Sequence, residues 1–178
     1  MRGIVLTGLE NYIHDCYSMA VWEDILSRSG QEDVIITTAD FYPDEQAVGL
    51  VVAAAEATDT ELPAFIEAFG RHLFGTLKQY YDFSIEQMDS LDELLHSLDA
   101  VIHPQVKKLH PDAMVPSFRV ENTDYGWLVF YQSERKLCPL AIGLIYGAAD
   151  NFNESINIEM VKSMMSGHDE TEFHVKRI

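Results

Sequence analysis

Apolar positions in the first hundred residues recur mostly at helical spacing. Val5, Leu9, Ile13 and Cys16 or Tyr17 keep that spacing, but Ile4-Val5-Leu6 also reads as a strand start, so residues 2–17 stay open between the two. Met19, Trp22, Ile25 and Leu26 predict a helix over 18–29, which Gly30 stops. Residues 31–42 read as a connection with a β-like patch, Val34-Ile35-Ile36-Thr37. Pro43 suits the first turn of a helix reaching about Ala57, with Asp44 and Glu45 favouring its N-terminus. The segment 61–80 is strongly amphipathic, with Leu62, Phe65, Ile66, Phe69, Leu73 and Leu77 in one stripe and Thr60 as the expected N-cap. A loop should follow it. Ser90-Leu91-Asp92-Glu93 then has the form of a capping box, opening a helix through Leu94, Leu95, Leu98, Val101 and Ile102. Pro104 should disturb that helix, since it lacks an N–H and crowds the carbonyl of Ala100, and Pro111 should end it.

The second half changes period. Residues 117–121 and 127–133 predict strands around a turn at Asn122–Gly126, and 155–162 and 171–177 predict two more around Ser166-Gly167. Between the pairs, 138–152 reads as a helix apolar nearly all round, as a helix buried between layers would be. Helices first, then an antiparallel sheet with helices packed on it, make the fold class α+β. The sequence contains no internal repeat and no low-complexity segment.

A chain of 178 residues and 20.2 kDa fits one domain or two lobes sharing a core. The formal net charge of −17 argues against a nucleic-acid partner and against an anionic membrane, because both need basic patches. Two cysteines, Cys16 and Cys138, make no disulfide framework and no zinc pattern. With no bilayer-length apolar run and no signal-peptide pattern, the expectation is a reduced, cytoplasmic protein that is not inserted in a membrane.

Two groups of residues could carry chemistry. The seven histidines are scattered, and none pairs as H-x-x-x-H or H-E-x-x-H. His103 stands apart: it follows Val101-Ile102, precedes Pro104, and has no charge directly beside it. Burial there would keep the imidazole neutral, the form a haem iron takes as a proximal ligand, although taken alone the signal fits a satisfied core histidine better. The second group is Tyr131-Gln132-Ser133-Glu134-Arg135. If its strand continues, Tyr131, Ser133 and Arg135 share one face and offer a phenol, a hydroxyl and a guanidinium to carboxylates, unless the face is simply exposed. A small hydrolase built on one of the histidines would need a positioned nucleophile, and no G-x-S-x-G turn supplies one.

Together the two groups resemble the haem–nitric oxide/oxygen binding (H-NOX) family, the fold of the haem domain of soluble guanylate cyclase and of bacterial gas sensors. The resemblance covers essentially the whole chain. It runs through Met1–Val5, Tyr42-Pro43-Asp44-Glu45, Ala68-Phe69-Gly70-Arg71, Asp99–Pro104, Leu109–Ala113, Pro116-Ser117-Phe118, Tyr131–Arg135 and Gly143–Ala149.

The resemblance implies a single, stand-alone haem-binding domain over 1–178. A distal helical lobe (1–60) and a proximal haem-holding lobe (61–178), with a four-stranded antiparallel sheet, would enclose the haem between them. The cofactor would be haem b, ferrous iron protoporphyrin, with His103 as its proximal ligand. Tyr131, Ser133 and Arg135 would bind the propionates, and Asp44 would pair with Arg135 across the lobes. Pro116 would pack on the porphyrin and distort it. Val5, Leu9, Leu73, Phe74, Leu77, Leu140 and Leu144 would form the gas-binding side.

Oxygen-binding members of the family carry a distal tyrosine where this chain has Leu140, with supporting positions here Leu9 and Leu73. The resemblance therefore implies a non-enzymatic nitric oxide sensor that also binds carbon monoxide, provided that neither Tyr12 nor Tyr146 reaches the pocket. Nitric oxide would break the His103–iron bond, and a histidine kinase, a cyclic-di-GMP enzyme or a chemotaxis receptor would read the shape change. The cysteine-rich zinc site of some members has no counterpart here. The competing reading is a haem-free small-ligand module of the same fold.

Overall fold

The computed structural model describes residues 1–81 and 85–178; the middle of the loop expected after residue 80 lies outside the described residues. The first four helices are α1 (Gly3–Cys16), α2 (Met19–Arg28), α3 (Asp44–Ala57) and α4 (Leu62–Tyr80). The ambiguity over residues 2–17 resolves as helix, with Leu6, Leu9 and Ile13 buried on one side of α1. No strand forms at Val34–Thr37. The only pairing in this part of the described chain is a bridge between Arg2 and Phe41, because a lone apolar patch has no neighbouring edge to join. Thr60 does not cap α4: Glu61 holds that position without a side-chain bond, and the Thr60 hydroxyl donates to the Thr58 carbonyl instead.

Ser90 does cap α5 (Leu91–Ser97), accepting from the Glu93 amide at 3.3 Å. The Glu93 carboxylate reaches back to the Asp89 amide at 3.0 Å rather than to that of Ser90. Pro104 leaves its mark upstream. Residues Leu98–Ile102 wind as a π turn, in which the His103 amide bonds the Leu98 carbonyl, before α6 (His103–Leu109) resumes. The wider turn relieves the collision between the proline ring and the carbonyl of Ala100.

Strands β1 (Ser117–Thr123), β2 (Gly126–Gln132), β3 (Ile156–Lys162) and β4 (Thr171–Arg177) form one antiparallel sheet in the order β1-β2-β4-β3. Trp127, Val129 and Tyr131 alternate inward along β2, and Thr171, Phe173 and Val175 along β4. Tyr131 stands opposite both Phe118 and Thr171 in the ladder.

The long buried helix α7 (Cys138–Asn151) crosses α4 closely. A Cβ on Gly143 would lie 2.0 Å from the Glu67 carbonyl oxygen, and one on Gly147 2.4 Å from that of Arg71. Glycine is what allows the two backbones to touch. Helix α4 packs into two apolar clusters: Phe65, Phe69 and Leu73 join the core of α1–α3, while Phe74 packs against the core under the sheet. Among the described residues no helix is long and apolar enough to cross a membrane.

Candidate functional site

A cavity of about 290 Å³ opens where α1, α4 and α7 meet α6 and the sheet. Much of its lining is aliphatic or aromatic. Val5 comes from α1, Leu73, Phe74 and Leu77 from α4, and Leu140 and Leu144 from α7. Pro116 enters from the segment before β1. Of the residues expected to face a ligand, Leu9 is the exception. It is fully buried in the core that α1 shares with α2–α4 and does not line the cavity.

His103 lines the same cavity with its side chain 15% exposed. Its Nδ1 is bound to Asp99 at 3.0 Å, and the other Asp99 oxygen accepts from the Ser117 hydroxyl at 3.0 Å. Burial lowers the His103 pKa, and the Asp99 bond opposes that shift without reversing it. Burial thus favours the neutral imidazole. Its Nδ1 is committed to a carboxylate, so Nε2 is the atom left for a ligand, which is the usual arrangement of a metal-binding histidine. Asp99 was not singled out for a role in the sequence. Its signal was the i, i+4 spacing to His103 on a helix.

Tyr131, Ser133 and Arg135 also line the cavity, but not as three residues of one strand. Strand β2 stops at Gln132. The chain then turns, with the Lys136 amide bonded to the Ser133 carbonyl at 3.1 Å and Lys136 in the left-handed region at φ 51°. The turn swings Arg135 toward α3. Its Nε donates to Asp44 Oδ2 at 2.7 Å and its Nη2 to Asp44 Oδ1 at 3.1 Å, while Nη1 donates to the Met114 carbonyl at 3.3 Å. The N-terminal ammonium also donates to Asp44, at 2.8 Å. These two cations hold the Asp44 carboxyl down to about 2, Arg135 contributing most. Burial pushes the Tyr131 phenol up, and its hydrogen bond with Ser133 partly offsets this.

Neither of the two tyrosines in question lines the cavity. The Tyr146 hydroxyl accepts from the Ile158 amide at 3.1 Å, toward β3. Tyr12 packs against Phe65, Phe69 and His72. Three polar residues line it that sequence reasoning did not single out: Arg2, Lys78 and Tyr81. Lys78 is held by Asn151 at 2.9 Å. Burial raises the Tyr81 pKa, against the Arg2 guanidinium, which hydrogen-bonds the phenol. Nothing in local spacing marks Arg2 or Tyr81, since they meet only through the fold.

The donor set suits one kind of occupant. Apolar walls accept a flat hydrophobic ring, a neutral imidazole accepts a metal, and phenol, hydroxyl and guanidinium donors accept carboxylates. A metalloporphyrin with acidic side chains has all three features, so the residues present fit a haem.

Comparison with known proteins agrees. The profile described as Haem-NO-binding matches residues 2–160. No curated protein sequence matches the chain. Among solved structures, a variant of an H-NOX protein from S. oneidensis in the Fe(II) state is 26% identical, with a TM-score of 0.92, covering 100% of this chain and 96% of that one. An H-NOX protein from S. oneidensis in the Fe(II)NO state is 26% identical, with a TM-score of 0.91, covering 100% and 99%. At 23% identity and a TM-score of 0.85, an unliganded Fe(II) H-NOX protein from K. algicida shares the fold over 100% of this chain and 97% of that one. With the family profile spanning most of its length and the same architecture throughout, this chain belongs to the Haem-NO-binding family, the H-NOX haem-binding gas-sensor domains.

Proposed function

We propose that the protein is a nitric oxide sensor that uses haem b. His103 would hold the iron, the Tyr131–Ser133–Arg135 group would hold the propionates, and Pro116 would pack on the ring. The haem iron supplies the gas-binding site. Residues 1–60 form the distal helical lobe and 61–178 the haem-holding one, whose α4 and α7 supply most of the gas-side wall.

One observation carries the choice of gas: position 140 in the cavity wall is leucine, and its cavity-lining neighbours Val5, Leu73, Phe74 and Leu144 are equally without donors. Bound dioxygen draws stabilisation from a hydrogen-bond donor, and without one it loses on the order of 1–3 kcal/mol, tenfold or more in affinity. Nitric oxide and carbon monoxide depend on such a donor far less. Of the two phenols that line the cavity, Tyr131 belongs to the propionate-holding group and Tyr81 packs edge to face on His110.

The response begins at His103. When nitric oxide weakens its hold, the imidazole stays tethered through Asp99 to Ser117 at the start of β1. The change passes to Pro116 beside it and to the Arg135–Asp44 link between the lobes. A histidine kinase, a cyclic-di-GMP enzyme or a chemotaxis receptor reads the new shape. The net charge of −17 favours a partner with a basic docking face.

Absorption spectra of the reduced, haem-loaded protein test the proposal under argon, air, carbon monoxide and nitric oxide. Expected are complexes with carbon monoxide and nitric oxide, loss of histidine ligation with nitric oxide, and no stable complex with oxygen. A stable oxygen complex would overturn the selectivity. Failure to take up haem would favour the haem-free module.

A further inference from the structure

Arg2 has no part in the scheme above, yet it lines the cavity at the head of α1. Its Nε is closed off from solvent and has no hydrogen-bond partner among the described residues. A charged donor left unsatisfied in that way is disfavoured unless something on the cavity side accepts from it. Its guanidinium also bonds the Tyr81 phenol and depresses the His110 pKa, after burial the second cause of that shift. The Tyr81 and His110 rings meet edge to face, their centroids 5.8 Å apart.

Arg135 is in the opposite condition. Three of its five N–H groups are spent on Asp44 and the Met114 carbonyl, and Asp44 already neutralises its charge. Both arginines line the same cavity. The ammonium of Met1, next to Arg2, and the guanidinium of Arg135 converge on Asp44. A turn closed by the Ala113 amide on the His110 carbonyl, at 2.9 Å, leads from the Arg2–Tyr81–His110 group to Met114 beside Arg135.

We infer that Arg2 is a second carboxylate-binding residue of the cavity, holding one haem propionate while the Tyr131–Ser133–Arg135 group holds the other. This rests on the haem reading proposed above. One carboxylate then meets the Tyr131, Ser133 and remaining Arg135 donors, the other meets the Arg2 cation, and the orphaned Nε gains its acceptor.

The test compares wild type, Arg2→Met and Arg2→Lys, each loaded with haem or with haem dimethyl ester, whose propionates carry no charge. The rate of loss to excess apomyoglobin is followed by absorbance. Arg2→Met should release haem about 10–100-fold faster, the loss of a charge-assisted bond. It should release the ester at the wild-type rate, which also shows that the variant is folded. Arg2→Lys should recover part of the haem retention, since it keeps the charge but not the fork. Equal acceleration for haem and ester would overturn the proposal by making Arg2 a packing residue. Unchanged rates for both would overturn it by showing no contact. Wild type that takes up neither compound would refute the haem reading itself, a result independent of residue 2.

Discussion

Arg135 and Asp44, 91 residues apart in the chain, are joined by two parallel hydrogen bonds, and the Asp44 carboxylate accepts the N-terminal ammonium as well. The pair bridges the turn after β2 to the first residue of α3, so it ties the end of the sheet to the helical first part of the chain. Arg135 is largely buried, at 16% side-chain exposure, whereas Asp44 at 41% is open enough for solvent to screen it. Replacing Asp44 with Asn should therefore lower stability by about 1 kcal/mol, read as a shift in the urea midpoint. The same variant should also lose haem faster than wild type, because Arg135 is freed to wander.

The acid response of that link follows from its sign. The folded-state carboxyl sits at about 2, below the ordinary aspartate value of 3.8. Its stabilisation is present in full above that value and is lost as pH falls through about 2. Urea midpoints at pH 5, 3 and 2 should show wild type losing more stability than Asp44→Asn across this range. Parallel curves would mean that Asp44 makes no pH-linked contribution.

His103→Gly should keep the fold, since the residue stands at a helix start, but should lose the axial ligand. Added imidazole should enter the space and restore a wild-type-like ferrous spectrum. If the variant's spectrum matched wild type without imidazole, another residue would be the ligand.

Leu140→Tyr places a phenol on the cavity wall proposed to face the gas. Under air, the reduced variant should form an oxygen complex that wild type does not, with an affinity gain of about tenfold or more. Its nitric oxide response should persist.

The α4–α7 crossing gives a prediction about packing alone. Gly143→Ala puts a methyl 2.0 Å from the Glu67 carbonyl oxygen, and the two backbones must part to admit it. The expected cost is about 1–3 kcal/mol in a thermal or urea melt. Ala148→Gly on the same helix removes a buried methyl without a clash, so it separates helix propensity from the crossing.

Much of this was legible in the residues. The stripe of α4, the Ser90 cap, the four strands and the all-round apolar α7 are local patterns, and local patterns survive folding. His103, Tyr131, Ser133 and Arg135, which spacing and family resemblance single out, line one cavity. What escaped depends on contacts distant in the chain. Leu9 has the right spacing to face a ligand but is taken by the helical core. Arg135 leaves its strand because a left-handed Lys136 turns the chain toward Asp44. Arg2, Tyr81 and His110 meet only when α1, the end of α4 and the segment after α6 are brought together. The β-like patch at Val34–Thr37 had the composition of a strand and no edge to pair with.

The π turn at Leu98–Ile102 holds one more residue than an α-helical turn would, and it ends at the amide of His103. Rewinding it to α-helical pairing would rotate everything beyond it by about 100° and shift it by about 1.5 Å along the axis. That is a whole residue's worth of slack, stored one step before the imidazole. The unpaired proline nitrogen at 104 means that no hydrogen bond from that position is lost when the winding changes. The histidine thus hangs on a stretch of helix with two possible gauges.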